Sequence, residues 1–130
     1  MPRAVTIASM AFRLLWIIGL ILGLLVAGNV LDNNSTSHPW TNVHMVIGIL
    51  LVALLWFLGV ALGLQTRSVV FPLVTFLVGL LIPIIGIAQT IPTGGAQLAL
   101  QGVHVVLILS AIALAEVCAS RYKRARAAKV

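Results

Sequence analysis

Long apolar stretches alternate with short polar segments along the chain, and this alternation predicts four helices. A membrane span needs about 20 mostly apolar residues to cross roughly 30 Å of hydrocarbon. The stretches that meet this requirement lie at about residues 12–31, 43–64, 69–88 and 98–120. The pattern therefore predicts an all-α integral membrane protein, with one four-span domain that covers residues 1–130.

The connections between these stretches are short, and the shortest is the turn at residues 65–68. Short connections favour an up-down-up-down four-helix bundle, in which sequential helices run antiparallel. In that arrangement the second and fourth helices lie on a diagonal and run in the same direction. The first stretch is longer than the apolar core of a signal peptide and has no Ala-x-Ala-like site after it, so we expect a retained helix.

The composition excludes a water-soluble domain. Hydrophobic residues make up 62% of the chain and charged residues 8%, with a mean hydropathy of +1.20. Soluble domains contain about 45–50% apolar and about 25% charged residues. Asp32 and Glu116 are the two acidic residues, which argues against paired-carboxylate catalysis. Cys118 is the single cysteine, which excludes an internal disulfide and a Cys-x-x-Cys redox motif.

The positive charges are confined to the two ends of the chain and the 65–68 turn, while residues 32–42 and 90–97 carry none. Basic residues mark cytoplasmic loops, so this distribution predicts both termini in the cytoplasm and a location in the inner (plasma) membrane. The basic tail is expected to contact anionic lipid headgroups, with the bilayer as partner and no nucleic acid. The cations are Arg3, Arg13, Arg67, Arg121, Lys123, Arg124, Arg126 and Lys129.

Polar residues inside a membrane span are costly, and each is therefore a functional candidate. Arg13 lies near the start of the first span and Glu116 near the end of the fourth, and we expect them to form an ion pair. A proton-handling role for Glu116 is the alternative. The predicted spans contain these polar residues: Arg13, Asn29, His44, Thr75, Gln89, Gln101, His104, Ser110 and Glu116.

Two of these residues, His44 and His104, lie on the second and fourth predicted helices, both near the non-cytoplasmic side. Their depths differ by on the order of 5 Å at 1.5 Å per residue. Two inward-facing imidazoles on diagonal helices match the needs of a bis-histidine haem, whose iron takes one nitrogen on each face. Hydrogen-bonded structural histidines, another metal, or a proton relay are the alternatives.

Small and polar neighbours of the histidines fit a cofactor pocket. Gly48 follows His44 by one turn, Gly102 precedes His104 by two residues, and Gly86 lies at a comparable depth on the third helix. Small residues leave room for a flat ring, although glycines also serve ordinary helix packing, as in the Gly-x-x-x-Gly motifs at residues 19–23 and 59–63. Gln101 or a backbone carbonyl is a candidate acceptor for the second imidazole nitrogen. His38 is expected to be a solvated loop residue.

Three segments carry a resemblance to a known family. They are Asn42-Val43-His44-Met45-Val46-Ile47-Gly48, the run from Gly79 to Gln89 with its Gly86-Ile87 end, and Gln101-Gly102-Val103-His104. Together they resemble one four-helix half of the haem A synthase (cytochrome oxidase assembly) family. Proteins of that family have eight helices in two such halves, and each half carries a histidine on its second and fourth helices. The resemblance implies that His44 and His104 are axial haem ligands.

The chain departs from the catalytic half of that family. That half has a glutamate about one turn before its first histidine and a basic residue after it, whereas this chain has Trp40 or Thr41 and then Met45. The resemblance is therefore to the half that holds a cofactor haem.

The sequence predicts a membrane haem b cytochrome that transfers electrons as a subunit or partner of a larger redox complex, or as a homodimer. Its cofactor-binding residues would be His44, His104, Gly48, Gly102 and Gln101, with the two histidines as metal ligands. One alternative is a minimal haem A synthase-like enzyme. Another is a haem-free structural or assembly subunit of a membrane complex.

Overall fold

The chain forms four α-helices in the computed structural model, which describes residues 2–28, 30–31, 38–89 and 95–128. The all-α fold is confirmed, and all four helices are long and apolar enough to span a membrane. Asn29, residues 32–37 and 90–94, and Lys129 lie outside the described residues. The helices are α1 (Pro2–Ala27), α2 (Pro39–Thr66), α3 (Val70–Ala88) and α4 (Gly95–Ala127).

The helices differ from the predicted spans mainly at their ends. Helix α1 begins at Pro2 rather than near residue 12 and ends at Ala27 rather than near residue 31. Helix α4 continues through the basic tail to Ala127. Alanine, arginine and lysine are good helix formers. Basic side chains also stabilise the last turn of a helix because they lie near its carbonyl groups.

The tight connection between α2 and α3 is closed by the backbone at Arg67. This residue adopts the left-handed conformation with φ of 55°, and its N–H donates to the carbonyl of Gly63. The N–H of Ser68 also donates to that carbonyl, at 3.0 Å. A left-handed residue after the last turn is a common way to satisfy carbonyls at a helix end. Helix α3 begins two residues later, at Val70.

Two glycines bring α2 and α3 into close contact. A methyl group added to Gly59 would lie 2.9 Å from both Cβ and Cγ2 of Thr75. One added to Gly63 would lie 2.8 Å from Cδ of Pro72. The packing role expected for the Gly59–Gly63 motif is therefore confirmed. Later residues of α2 meet earlier residues of α3, which is the pattern of antiparallel packing.

Helices α2 and α4 form the central pair of the bundle. They contact each other and both flanking helices, whereas α1 and α3 do not contact each other within the described residues. The two helices that carry the histidines therefore face each other directly across the interior.

An ion pair joins α1 to α4, as expected from the sequence. Nε of Arg13 donates to Oε1 of Glu116 and Nη2 donates to Oε2, both at 2.6 Å. The side chains are 54% and 44% exposed. This parallel two-bond geometry is the strongest arrangement for a guanidinium and a carboxylate. Glu116 lies 12 residues after His104, or about 18 Å along the helix, so the pair is separate from the histidines.

Buried side chains are concentrated in one half of the bundle, here called the core half. It contains residues 51–63 of α2 and 111–122 of α4, together with Val5, Ala8 and Phe12 of α1 and Thr75 and Ile82 of α3. Leu55 and Leu62 are fully buried there. The opposite half, here called the histidine half, contains residues 39–50 of α2 and 95–110 of α4, and none of these is buried. Fully buried side chains of α2 and α4 therefore lie in one half of the bundle.

Candidate functional site

Helices α2 and α4 each carry one histidine in the histidine half. His44 lies in the second turn of α2 and His104 in the third turn of α4. Both residues are half-buried, and the Nδ1 atom of each ring is fully shielded. Both imidazoles therefore present at least one nitrogen to the interior rather than to the surface.

The His44 ring packs against the backbone of α1 at Gly23. A methyl group added to Gly23 would lie 2.8 Å from Cε1 of His44, 3.4 Å from Nδ1 and 3.5 Å from Nε2. The ring therefore occupies the space that any larger residue at position 23 would fill with its own side chain.

The His104 ring packs against α3 at Gly86 in the same way. A methyl group added to Gly86 would lie 3.2 Å from Cε1 of His104 and 3.7 Å from Nδ1. Each histidine thus contacts a glycine of the preceding helix through the same edge of its ring.

The two histidines lie at the same level of the bundle. Gly48 follows His44 by four residues and Ile108 follows His104 by four, and both line one central cavity. Residues one turn apart on a helix share a face. The two histidines therefore lie one turn beyond the cavity on their helices, and neither is among the residues that line it.

The central cavity is wholly apolar and receives side chains from all four helices. Its volume is about 10 Å³, close to the least that holds one water molecule. Gly48 has nothing within 4 Å of the position where a Cβ would lie, so there is open space one turn from His44. The cavity is lined by Phe12, Trp16, Gly48, Leu51, Val52, Leu55, Ile82, Ile108, Ala111 and Ile112.

The polar surroundings of the imidazoles are sparse. Neither Nδ1 atom makes a hydrogen bond to a described group. Burying an unpaired polar atom is unfavourable by about 1–3 kcal/mol in proteins. Nδ1 of each histidine and Nε1 of Trp56 are such atoms.

Other predicted site residues lie in different surroundings. Gln101 is half-buried, but it does not bond to Nδ1 of His104. Gly102 is exposed, has nothing within 4 Å of its Cβ position and does not line the cavity. His38 is exposed, as expected, and precedes α2 in a left-handed conformation with φ of 42°. The structure therefore groups Gly48 with the histidine pair and places Gly102 apart from it.

The sequence reasoning missed the role of Gly23. It treated Gly19 and Gly23 as a helix-packing motif, and Gly19 does pack in this way against Ile47 and Leu51 of α2. Gly23 instead contacts the imidazole. The signal in the sequence is that a glycine on the preceding helix comes before each histidine: Gly23 before His44 and Gly86 before His104. Gly86 is considered above only because a small residue leaves room for a flat ring.

The donor set limits the chemistry of the site. Among the described residues, no group of three or more histidine, cysteine, aspartate or glutamate side chains is placed to hold a metal ion. Two imidazoles can hold a metal whose other ligands come from a cofactor, such as the four nitrogens of a porphyrin. Comparisons with models of protein families, with curated proteins and with solved structures found no match.

Proposed function

We propose that this chain is a membrane haem b cytochrome in which His44 and His104 are the two axial ligands. One observation carries the proposal: the two imidazoles come from helices that contact each other, each packs against a glycine of the preceding helix, and each has a shielded Nδ1 without a hydrogen-bond partner. The resemblance to the cofactor-holding half of haem A synthases agrees with this assignment.

The residues present fit a haem in three respects. The imidazoles come from two helices that face each other, as two axial ligands on opposite faces of a ring require. No residue of α2 or α4 is fully buried in the histidine half, so this half is less tightly packed than the core half. Gly48 leaves open space one turn from His44. An iron porphyrin bound there would supply reversible one-electron chemistry.

The chain's own residues define what that chemistry can be. If His44 and His104 both bound the iron of a haem, they would leave no position on it for a substrate or oxygen, which would favour electron transfer over haem oxidation. Apolar side chains such as Leu51 and Ile112, about two turns beyond the histidines, would give a bound haem apolar surroundings, which tune its potential. A one-electron carrier of this size needs redox partners, and we propose a larger membrane redox complex or a second copy of the chain.

The proposed function is tested by a reduced-minus-oxidised absorbance spectrum of the full-length protein, purified after expression with sufficient haem. We expect the sharp bands of a low-spin bis-histidine b-type haem at about one haem per chain. Mass spectrometry of the extracted cofactor should find unmodified haem b. Modified haem products would instead support the haem A synthase-like enzyme, and the absence of a Soret band would support a haem-free structural or assembly subunit.

We further propose that both termini lie in the cytoplasm of the inner (plasma) membrane. Arg3, Arg67, Arg124 and Arg126 occupy helix ends that meet at the core half, and basic residues are retained on the cytoplasmic side. Reporter fusions test this orientation. Fluorescent protein at the C-terminus should be active and alkaline phosphatase at the same position inactive, whereas the reverse result would place the histidine half on the cytoplasmic side.

A further inference from the structure

The two helical hairpins, α1–α2 and α3–α4, carry an equivalent arrangement. Val43-His44-Met45-Val46 on α2 and Val103-His104-Val105-Val106 on α4 are sixty residues apart. Buried positions follow the same spacing, as in Leu51 with Ala111 and Leu55 with Ala115. Each hairpin therefore presents its histidine from its second helix in the same register.

A second pair of contacts follows the same correspondence. Trp56 of α2 stacks on Phe76 of α3, with ring centroids 4.9 Å apart. Glu116, sixty residues after Trp56, pairs with Arg13 of α1. Arg13 and Phe76 are 63 residues apart, as are Gly23 and Gly86. Helices α1 and α3, which flank the central pair, are thus equivalent as well, and Gly23 and Gly86 occupy equivalent positions on them.

The absence of a side chain at each glycine leaves room for the ring. Helical side chains lean back over the preceding turn, so a larger residue at position 23 or 86 would cover the helix surface on which the imidazole packs.

We infer that Gly23 and Gly86 are positioning residues, which set the orientation of the two imidazoles because each ring packs on the bare helix backbone that a glycine leaves. The inference deepens the proposed function and rests on it. Groups around a metal-binding histidine fix its ring orientation and thereby tune the metal.

The two glycine–imidazole contacts differ in distance, so alanine substitutions at positions 23 and 86 should differ in the size of their effects. An added methyl group would lie 2.8 Å from Cε1 of His44 at position 23 but 3.2 Å from Cε1 of His104 at position 86. The first distance forces a ring or a helix to move, whereas a small displacement of the ring relieves the second. Gly23→Ala should therefore have the larger effect. Gly102→Ala is the matched control because nothing lies within 4 Å of its Cβ position.

The contact itself is tested by a double-mutant cycle on the full-length protein in detergent, with the midpoint of thermal unfolding as the readout. Gly23→Ala should lower the midpoint when His44 is present. In the His44→Ala background, Gly23→Ala should leave the midpoint unchanged or raise it. Equal effects in the two backgrounds would overturn the contact between the glycine and the ring.

The positioning role is tested by the haem signals of the same variants. Gly23→Ala should shift the midpoint potential and the g values of the low-spin ferric haem, Gly86→Ala should shift both by less, and Gly102→Ala should leave both unchanged. Unchanged signals in a haem-loaded Gly23→Ala protein would overturn the positioning role alone, even if unfolding is coupled. A wild-type protein without haem would overturn the proposed function, and the positioning role with it.

Discussion

Replacing either His44 or His104 with alanine should abolish the low-spin bis-histidine spectrum. The iron of a six-coordinate haem takes one nitrogen from each face, so the loss of either imidazole leaves at most five ligands. No other described residue is grouped with the pair to replace it. We expect complete loss of the low-spin signal in each variant and reduced haem content, measured by absorbance and by extraction of the cofactor.

His38→Ala is the matched control for this experiment. His38 is exposed and precedes α2, so its removal should leave the spectrum and the haem content unchanged. Normal low-spin spectra in both His44→Ala and His104→Ala would contradict the ligand assignment. Loss of the low-spin spectrum in His38→Ala, together with a normal spectrum in His44→Ala or His104→Ala, would indicate that His38 is a ligand in place of that residue.

Enlarging Gly59 should destabilise the bundle more than a change at any exposed glycine. A methyl group added at this position would lie 2.9 Å from Cβ of Thr75, a residue that is fully buried. Gly59→Ala therefore has to separate α2 from α3, and overpacking of this kind has an unfavourable effect of about 1–3 kcal/mol on the free energy of unfolding. Gly59→Leu should prevent recovery of a monodisperse protein. Thermal unfolding and gel filtration in detergent measure the two effects.

The control for Gly59 is Gly102, which lies on α4 with nothing near its Cβ position. Gly102→Ala should leave the stability unchanged or raise it by about 0.5–1 kcal/mol, because alanine loses less backbone entropy than glycine in a helix. The two substitutions are chemically identical, so opposite signs would come from the surroundings alone. A Gly59→Ala protein as stable as the wild type would contradict the close packing of α2 on α3.

The sequence predicted the four helices because the requirement for about 20 apolar residues is strict and local. It missed the first ten residues of α1 and the last seven of α4 for a physical reason. Residues such as Arg3 and Arg124 lower the local hydropathy, yet arginine favours the helix. Hydropathy indicates which part of a helix lies in lipid. The helix itself extends further, as long as helix propensity and interactions at its ends stabilise it.

The candidate site was predictable in its ligands but only partly in its surroundings. Two histidines stood out because polar residues inside apolar spans are rare. The contacts of Gly23 and Gly86 depend on how neighbouring helices meet, which no single stretch of sequence records. The repeat of the two hairpins was also missed, because little more than the Val-His-x-Val pattern is shared and most equivalent positions differ, as Leu58 and Cys118 do.

The uneven filling of the interior has a consequence for the order of assembly. Leu55, Leu58 and Leu62 are sealed at one end of the bundle, and the ion pair of Arg13 and Glu116 ties α1 to α4 near the same end. That end can hold the four helices together before any prosthetic group arrives. If the other end binds haem as we propose, binding would then add stability by mass action to a bundle that is already assembled.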